Sequence, residues 1–128
     1  MDLILDTHVL IWFSEDDRKL PLRIKEIIEN EQNRLYVSIA SLWEMAIKIS
    51  LNKLEINNDL GWFIDRLLNN NINIIEIKID HLRELLELDY IHRDPFDRLI
   101  ISQCKFEKIS IITHDDVFKK YNIDIIKI

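Results

Sequence analysis

Apolar positions along the chain follow two alternating rhythms. Short continuous runs, of which Leu3-Ile-Leu5 is the first, are ended by polar clusters and read as strands buried on both faces. Between them apolar residues recur every three to four positions, the spacing of helices with one buried side. In order, this predicts a strand at 3–5 and a short apolar helix at 8–13, capped by Asp6 or Thr7. A helix opened by Pro21 at its first position then carries Leu22, Ile24, Ile27 and Ile28, and a second strand runs over 34–38. Ser41 to about Leu51 is a helix whose apolar residues cover more than one face, and 58–70 is another helix with Trp62 off its stripe. A third strand at 73–78, a helix at 80–88, and a helix entered through 92–98 come next. The chain finishes with a strand at 109–113, a short helix at 115–121 and a last strand at 124–128. Strand and helix alternate throughout, so the expected class is α/β, a three-layer α/β/α fold around a parallel sheet of about five strands.

Composition narrows this without changing it. At 128 residues and 48% hydrophobic content, one domain spanning 1–128 with a real core is expected. No apolar run is long enough for a membrane span. Met1-Asp2 lacks the basic start of a secretory signal, and Cys104 is the only cysteine, which suits a cytoplasmic protein. The net charge of −6 is not that of a protein that grips nucleic acid by charge alone. A nucleic-acid role would need bound cations, a local basic patch or a partner.

The candidate chemistry lies in carboxylates at strand-to-helix junctions: Asp6, Glu44, Asp97 and Asp115. Each has a simpler account. Asp6 and Asp115 can cap helices, and Ser41-x-x-Glu44 fits a capping box. Asp94 can cap the helix that starts at Pro95, leaving Asp97 as a first-turn acid. Taken together they say more. In a right-handed parallel α/β fold all such junctions lie along one sheet edge, where ligands bind. Carboxylates gathered there repel one another unless something positive sits between them, and Arg98 is the nearest cation in sequence. A hard divalent ion, Mg²⁺ or Mn²⁺, meets that need and can activate water against a phosphodiester.

Four segments carry a family resemblance: LDTHVLIWF (5–13), SIASLWEMAIKISLNKL (38–54), HRDPFDRLIISQ (92–103) and ITHDDVF (112–118). In these the chain resembles PIN-domain ribonucleases and, among them, VapC-type toxins of bacterial toxin–antitoxin pairs. The resemblance implies a parallel sheet with the first strand central, and a metal site of Asp6, Glu44, Asp97 and Asp115. It also implies an RNA substrate, a cognate antitoxin as partner and a homodimer. Asn52 stands where relatives often carry Gly, and Asn tolerates a left-handed turn.

Supporting roles are assigned more loosely. Thr7 and Thr113 can orient a carboxylate or a water, or simply make capping and turn bonds. Asp94 reads as an N-cap in preference to a ligand. Arg98 can hold a phosphate or pair with Asp94 one turn back, and Lys48, Lys53, Lys119 and Lys120 can form a basic rim. His8 and His114 adjoin the acids, but an all-oxygen site suits Mg²⁺ better. A phospho-receiver module is excluded because no aspartate ends the third strand. The alternative that stays open is a catalytically inactive PIN fold that binds RNA or protein, which the presence of all four acids disfavours.

Overall fold

A computed structural model describes residues 1–128. Five strands form one parallel sheet: β1 (Asp2–Leu5), β2 (Arg34–Ser38), β3 (Ile72–Ile75), β4 (Ser110–Thr113) and β5 (Ile125–Lys127). Their order is β3-β2-β1-β4-β5, so the first strand is central. Its neighbours explain why it is apolar on both sides. Leu3 and Leu5 face one core, shared with α1 (Thr7–Ser14), α2 (Leu22–Glu29) and α4 (Leu60–Asn69) through Val9, Leu10, Ile24, Ile28, Phe63 and Leu67. Ile4 faces the other, filled mainly by Leu99, Ile100, Ile101 and Cys104 of α6 (Pro95–Glu107) and by Phe118. The strand's period-two alternation thus divides the molecule into two packed layers.

Helix α3 (Ile39–Ser50) belongs to both, with Ala40 in one core and Leu42 and Met45 in the other. Helix α5 (Ile79–Glu87) packs on α6. The two strands beside β1 hold it in register: Leu5 pairs with Val37 on one side and Ile112 on the other. Asp6, Ile39 and His114, the residues that follow these three strands, therefore leave the sheet at one edge.

Several expected boundaries shift, each for a local reason. Pro21 is the cap residue, with extended backbone, and α2 begins at Leu22. The Ser41–Glu44 capping box does not form: Ser38 is the N-cap of α3, its hydroxyl accepting from the Ala40 amide at 3.0 Å. Strand β3 ends at Ile75 because the chain turns out of the sheet so that the Lys78 amide can donate to His81 Nδ1 at 3.0 Å and open α5. The short helix after β4 is a 3₁₀ turn, Asp116–Lys120. Asn52 adopts a left-handed φ of 56°, a conformation that asparagine tolerates.

Candidate metal centre

Each junction at this edge delivers an acid. Asp6 follows β1 and caps α1; its Oδ1 accepts from the Thr7 amide at 2.7 Å and its Oδ2 from the Thr113 hydroxyl at 2.7 Å. It is 3% exposed, and burial raises its pKa despite those two bonds and the nearby His8 and His114. Thr113 also accepts from the Asp115 amide at 3.0 Å, so one hydroxyl ties the end of β4 to both acids.

Glu44 sits in α3 and turns inward. Thr7 Oγ1 lies 2.8 Å from Ser41 Oγ and 3.1 Å from Glu44 Oε1. A carboxylate can only accept, so the single Thr7 proton goes to Glu44. The other oxygen, Oε2, takes Lys48 Nζ at 2.8 Å one turn on, and that bond raises the Lys48 pKa. Asp94 caps α6, accepting from the Phe96 and Asp97 amides at 2.8 and 3.1 Å. Asp97 lies on the next turn, where burial and then the charges of Asp6, Asp94, Glu44 and Asp115 push its pKa up to about 8. For Asp115 burial acts upward but is outweighed by the Val117 amide, by His92 and by His114, and its pKa is lowered.

Asp6, Glu44, Asp94, Asp97, Asp115 and Asp116 all face one cavity of about 420 Å³, whose lining contains no hydrophobic residue and, apart from Lys48, no lysine or arginine. His8 and His114 also reach it, with their rings 5.1 Å apart, and His114 Nδ1 is buried without a hydrogen-bond partner. Ligand-type atoms of Asp6, His8 and His114 lie within 4.8 Å of one another, as do those of His92, Asp97 and Asp115. The donor set is dominated by carboxylate oxygen, and the Asp97 pKa is driven up by burial and then by its neighbours' charge. That combination fits a hard divalent cation: the residues present carry more negative charge than they neutralise.

Arg98 differs from the sequence reading, and of the four lysines expected to form a basic rim only Lys48 lines the cavity. Arg98 does not face the cavity. It is 8% exposed, donates to the Asp89 and Leu88 carbonyls at 2.9 and 3.4 Å, and stacks 4.3 Å from the Tyr90 ring. Its role is to hold the loop before α6, and it makes no pair with Asp94. Lys119 is drawn to Asp116 at 3.6 Å. Sequence reasoning missed Asp116, which lines the cavity, and also His92, whose Nε2 lies 2.9 Å from Asp115 Oδ2 and 3.1 Å from Asp97 Oδ2. The signals for His92 in the sequence are its place two residues before the capping Asp94 and at the head of the HRDPFDRLIISQ segment.

The sequence matches the family model of the PIN domain over residues 3–124. No curated protein matches it. Among solved structures, the chain is similar to VapBC2 from Rickettsia felis bound to a DNA fragment from its promoter, at 18% identity and a TM-score of 0.76, covering 99% of this chain and 98% of that one. It is also similar to DNA-bound VapBC from Salmonella typhimurium, at 17% identity and a TM-score of 0.72 over 99% and 98% of the two chains. A toxin–antitoxin complex from Klebsiella pneumoniae follows at 16% identity and a TM-score of 0.65, over 98% and 96%.

Proposed function

The chain belongs to the PIN domain family, and from that premise we propose that it is a metal-dependent endoribonuclease, the VapC-type toxin of a toxin–antitoxin pair. PIN domains are generally nucleases. The observation that carries the reading is the crowding of Asp6, Glu44, Asp97 and Asp115 around a cavity without apolar lining, with Asp97 raised to about 8 by burial and by the other acids. Asp6, Asp97 and Asp115, with Glu44, would hold Mg²⁺ or Mn²⁺. Bound there, the cation supplies Lewis acidity that makes a water nucleophilic near neutral pH and braces the leaving 3′ oxygen.

The chain's own residues do the rest. Thr7 and Thr113 fix both oxygens of Asp6 through an amide and a hydroxyl, so its carboxylate is oriented before substrate arrives. Thr7 and Lys48 orient Glu44 in the same way. Lys48, half-exposed at the cavity, is the positive group available to a backbone phosphate. In-line attack of water on phosphorus breaks the bond to the 3′ oxygen and leaves a 5′-phosphate and a 3′-hydroxyl. RNA as the substrate rests on the resemblance in the four motifs.

The partner reading draws on the neighbours, several of which are toxin–antitoxin complexes. A cognate antitoxin would cover the acidic cavity. A homodimer is supported by apolar side chains left open on α3, on α4 and just past α3: Trp43, Leu51, Trp62 and Leu68 are 55%, 57%, 44% and 50% exposed. Arg66 stacks 5.3 Å from the Trp62 ring and covers part of it. No helix is long and apolar enough to cross a membrane. The buried thiol of Cys104, its pKa pushed up by burial, suits a reducing cytoplasm.

The test is cleavage of a structured RNA by the purified protein with Mg²⁺, Mn²⁺ or EDTA, beside Asp6→Asn. The wild type is expected to cut only with metal, and the variant to fall by about a hundredfold or more. Equal cleavage by both proteins in EDTA would refute the reading.

A further inference from the structure

His92 stands against the carboxylates of two of the acids and does not line their cavity. Its tautomer follows from its contacts. The Asp94 backbone amide, which can only donate, points at Nδ1 from 3.1 Å. Nδ1 is therefore the acceptor, and the ring proton sits on Nε2, which donates to Asp115 Oδ2 at 2.9 Å with Asp97 Oδ2 3.1 Å away. A nitrogen that carries a proton cannot donate a lone pair to a cation. Moving the proton to Nδ1 would set two N–H groups against each other at that distance. The geometry thus disqualifies His92 as a metal ligand, although its ligand-type atom stands within 4.8 Å of theirs.

The ring is also held in place. Tyr121 accepts from the Ile91 and His92 amides at 3.1 and 2.7 Å and donates to the Asp89 carbonyl at 2.9 Å, which pins the loop. Phe118, fully buried, meets the imidazole edge-on at 5.6 Å. Only 13% of the His92 side chain is exposed.

We propose that His92 is the positioning residue of this centre: an imidazole that stands behind Asp97 and Asp115 and, through its Nε2–H, aims the Asp115 carboxylate into the cavity. The inference rests on the metal-site reading above. The bond matters because its two ends come from segments far apart in sequence, the loop before α6 and the chain just past β4. A single N–H donor fixes the Asp115 carboxylate without removing its charge, so its appetite for a cation is preserved.

The experiment compares metal-free wild type, His92→Phe and His92→Gln by titration calorimetry with Mn²⁺. Phe keeps the ring and its contact with Phe118 but has no N–H; Gln returns a donor near the position of Nε2. His92→Phe is expected to bind Mn²⁺ about tenfold more weakly, with His92→Gln recovering most of the loss. A residue that only fills space would lower the melting temperature in the Phe variant and leave the affinity of the folded protein unchanged. That result would overturn the proposal, while a wild type that binds no divalent ion would remove the metal site itself. Because His92→Phe is also a folding risk, the wild type is read directly. A long-range ¹H–¹⁵N spectrum should show an Nε2-protonated, Nδ1-unprotonated ring before and after Mn²⁺'s diamagnetic substitute, Mg²⁺. Loss of the Nε2 proton on adding Mg²⁺ would make His92 a ligand and contradict the assignment.

Discussion

Two histidines in this molecule are built the same way and end in different electrostatics. His81 and His92 each take a backbone amide on Nδ1, from Lys78 at 3.0 Å and from Asp94 at 3.1 Å. Each turns Nε2 toward carboxylate. At His81 there is one acid, Glu107 at 2.9 Å, and Lys78 shares it at 3.0 Å. The His81 hydrogen bond, with Lys78 adding to it, lowers the Glu107 pKa. At His92 there are two acids, further carboxylates surround them, and Asp97 rises to about 8. The same device therefore completes a structural joint between α5 and α6 in one place and leaves a charge deficit in the other. What distinguishes the proposed metal site is the unbalanced sum, since the histidine–carboxylate contact occurs in both.

The comparison is sharpest at alkaline pH. Asp97 holds a proton in the folded, metal-free protein up to about pH 8, whereas an unfolded aspartate releases it near 3.8. The folded state binds the extra proton, so this group's contribution is most favourable below pH 4 and is lost as pH rises toward 8. Asp97→Asn should therefore stabilise the metal-free protein by about 2–4 kcal/mol at pH 9 and do little at pH 4. The gain falls short of the full pKa displacement because Asn gives up a charge-assisted contact with His92. Urea unfolding at the two pH values measures it. A variant less stable than wild type at pH 9 would mean that Asp97 is an ordinary first-turn acid.

The balanced joint should respond in the opposite sense and more weakly. The Glu107 pKa is lowered from 4.5, so its contribution is present above that pH and is lost as pH falls through the folded value. Glu107→Gln should cost about 1 kcal/mol at pH 7, with the difference vanishing in acid, and leave Mn²⁺ binding unchanged. Denaturant melts at pH 7 and pH 3 check the first part and calorimetry the second. Altered metal affinity in this variant would erase the distinction between the two regions.

Much of this was readable in the chain because it is local. The unbroken apolar run Leu3-Ile-Leu5 identifies a strand covered on both faces, and β1 is central. Alternation of the two rhythms gives the parallel sheet with helices on both sides. The cap of α6 follows from Asp94-Pro95, since a capping residue and a proline in the first turn act within one turn. What was not readable depends on partners distant in sequence. Ser41-x-x-Glu44 has the spacing of a capping box, but Ser38 already serves the amides and Thr7, across the sheet edge, claims Glu44. Arg98 follows Asp97 directly, yet helical geometry turns consecutive residues about 100° apart, which sends it to the Leu88 and Asp89 carbonyls. His92 meets Asp115 only through the fold.

The claim that these acids form one cation site is tested most directly by thermal unfolding at pH 7 of wild type and Asp97→Asn, each with and without Mg²⁺. Only the folded chain assembles the site, so Mg²⁺ at a hundredfold excess over Kd should stabilise the wild type by about 2.7 kcal/mol. Asp97→Asn should gain much less, although its metal-free form is the more stable of the two. An equal Mg²⁺ response in both proteins would contradict the account.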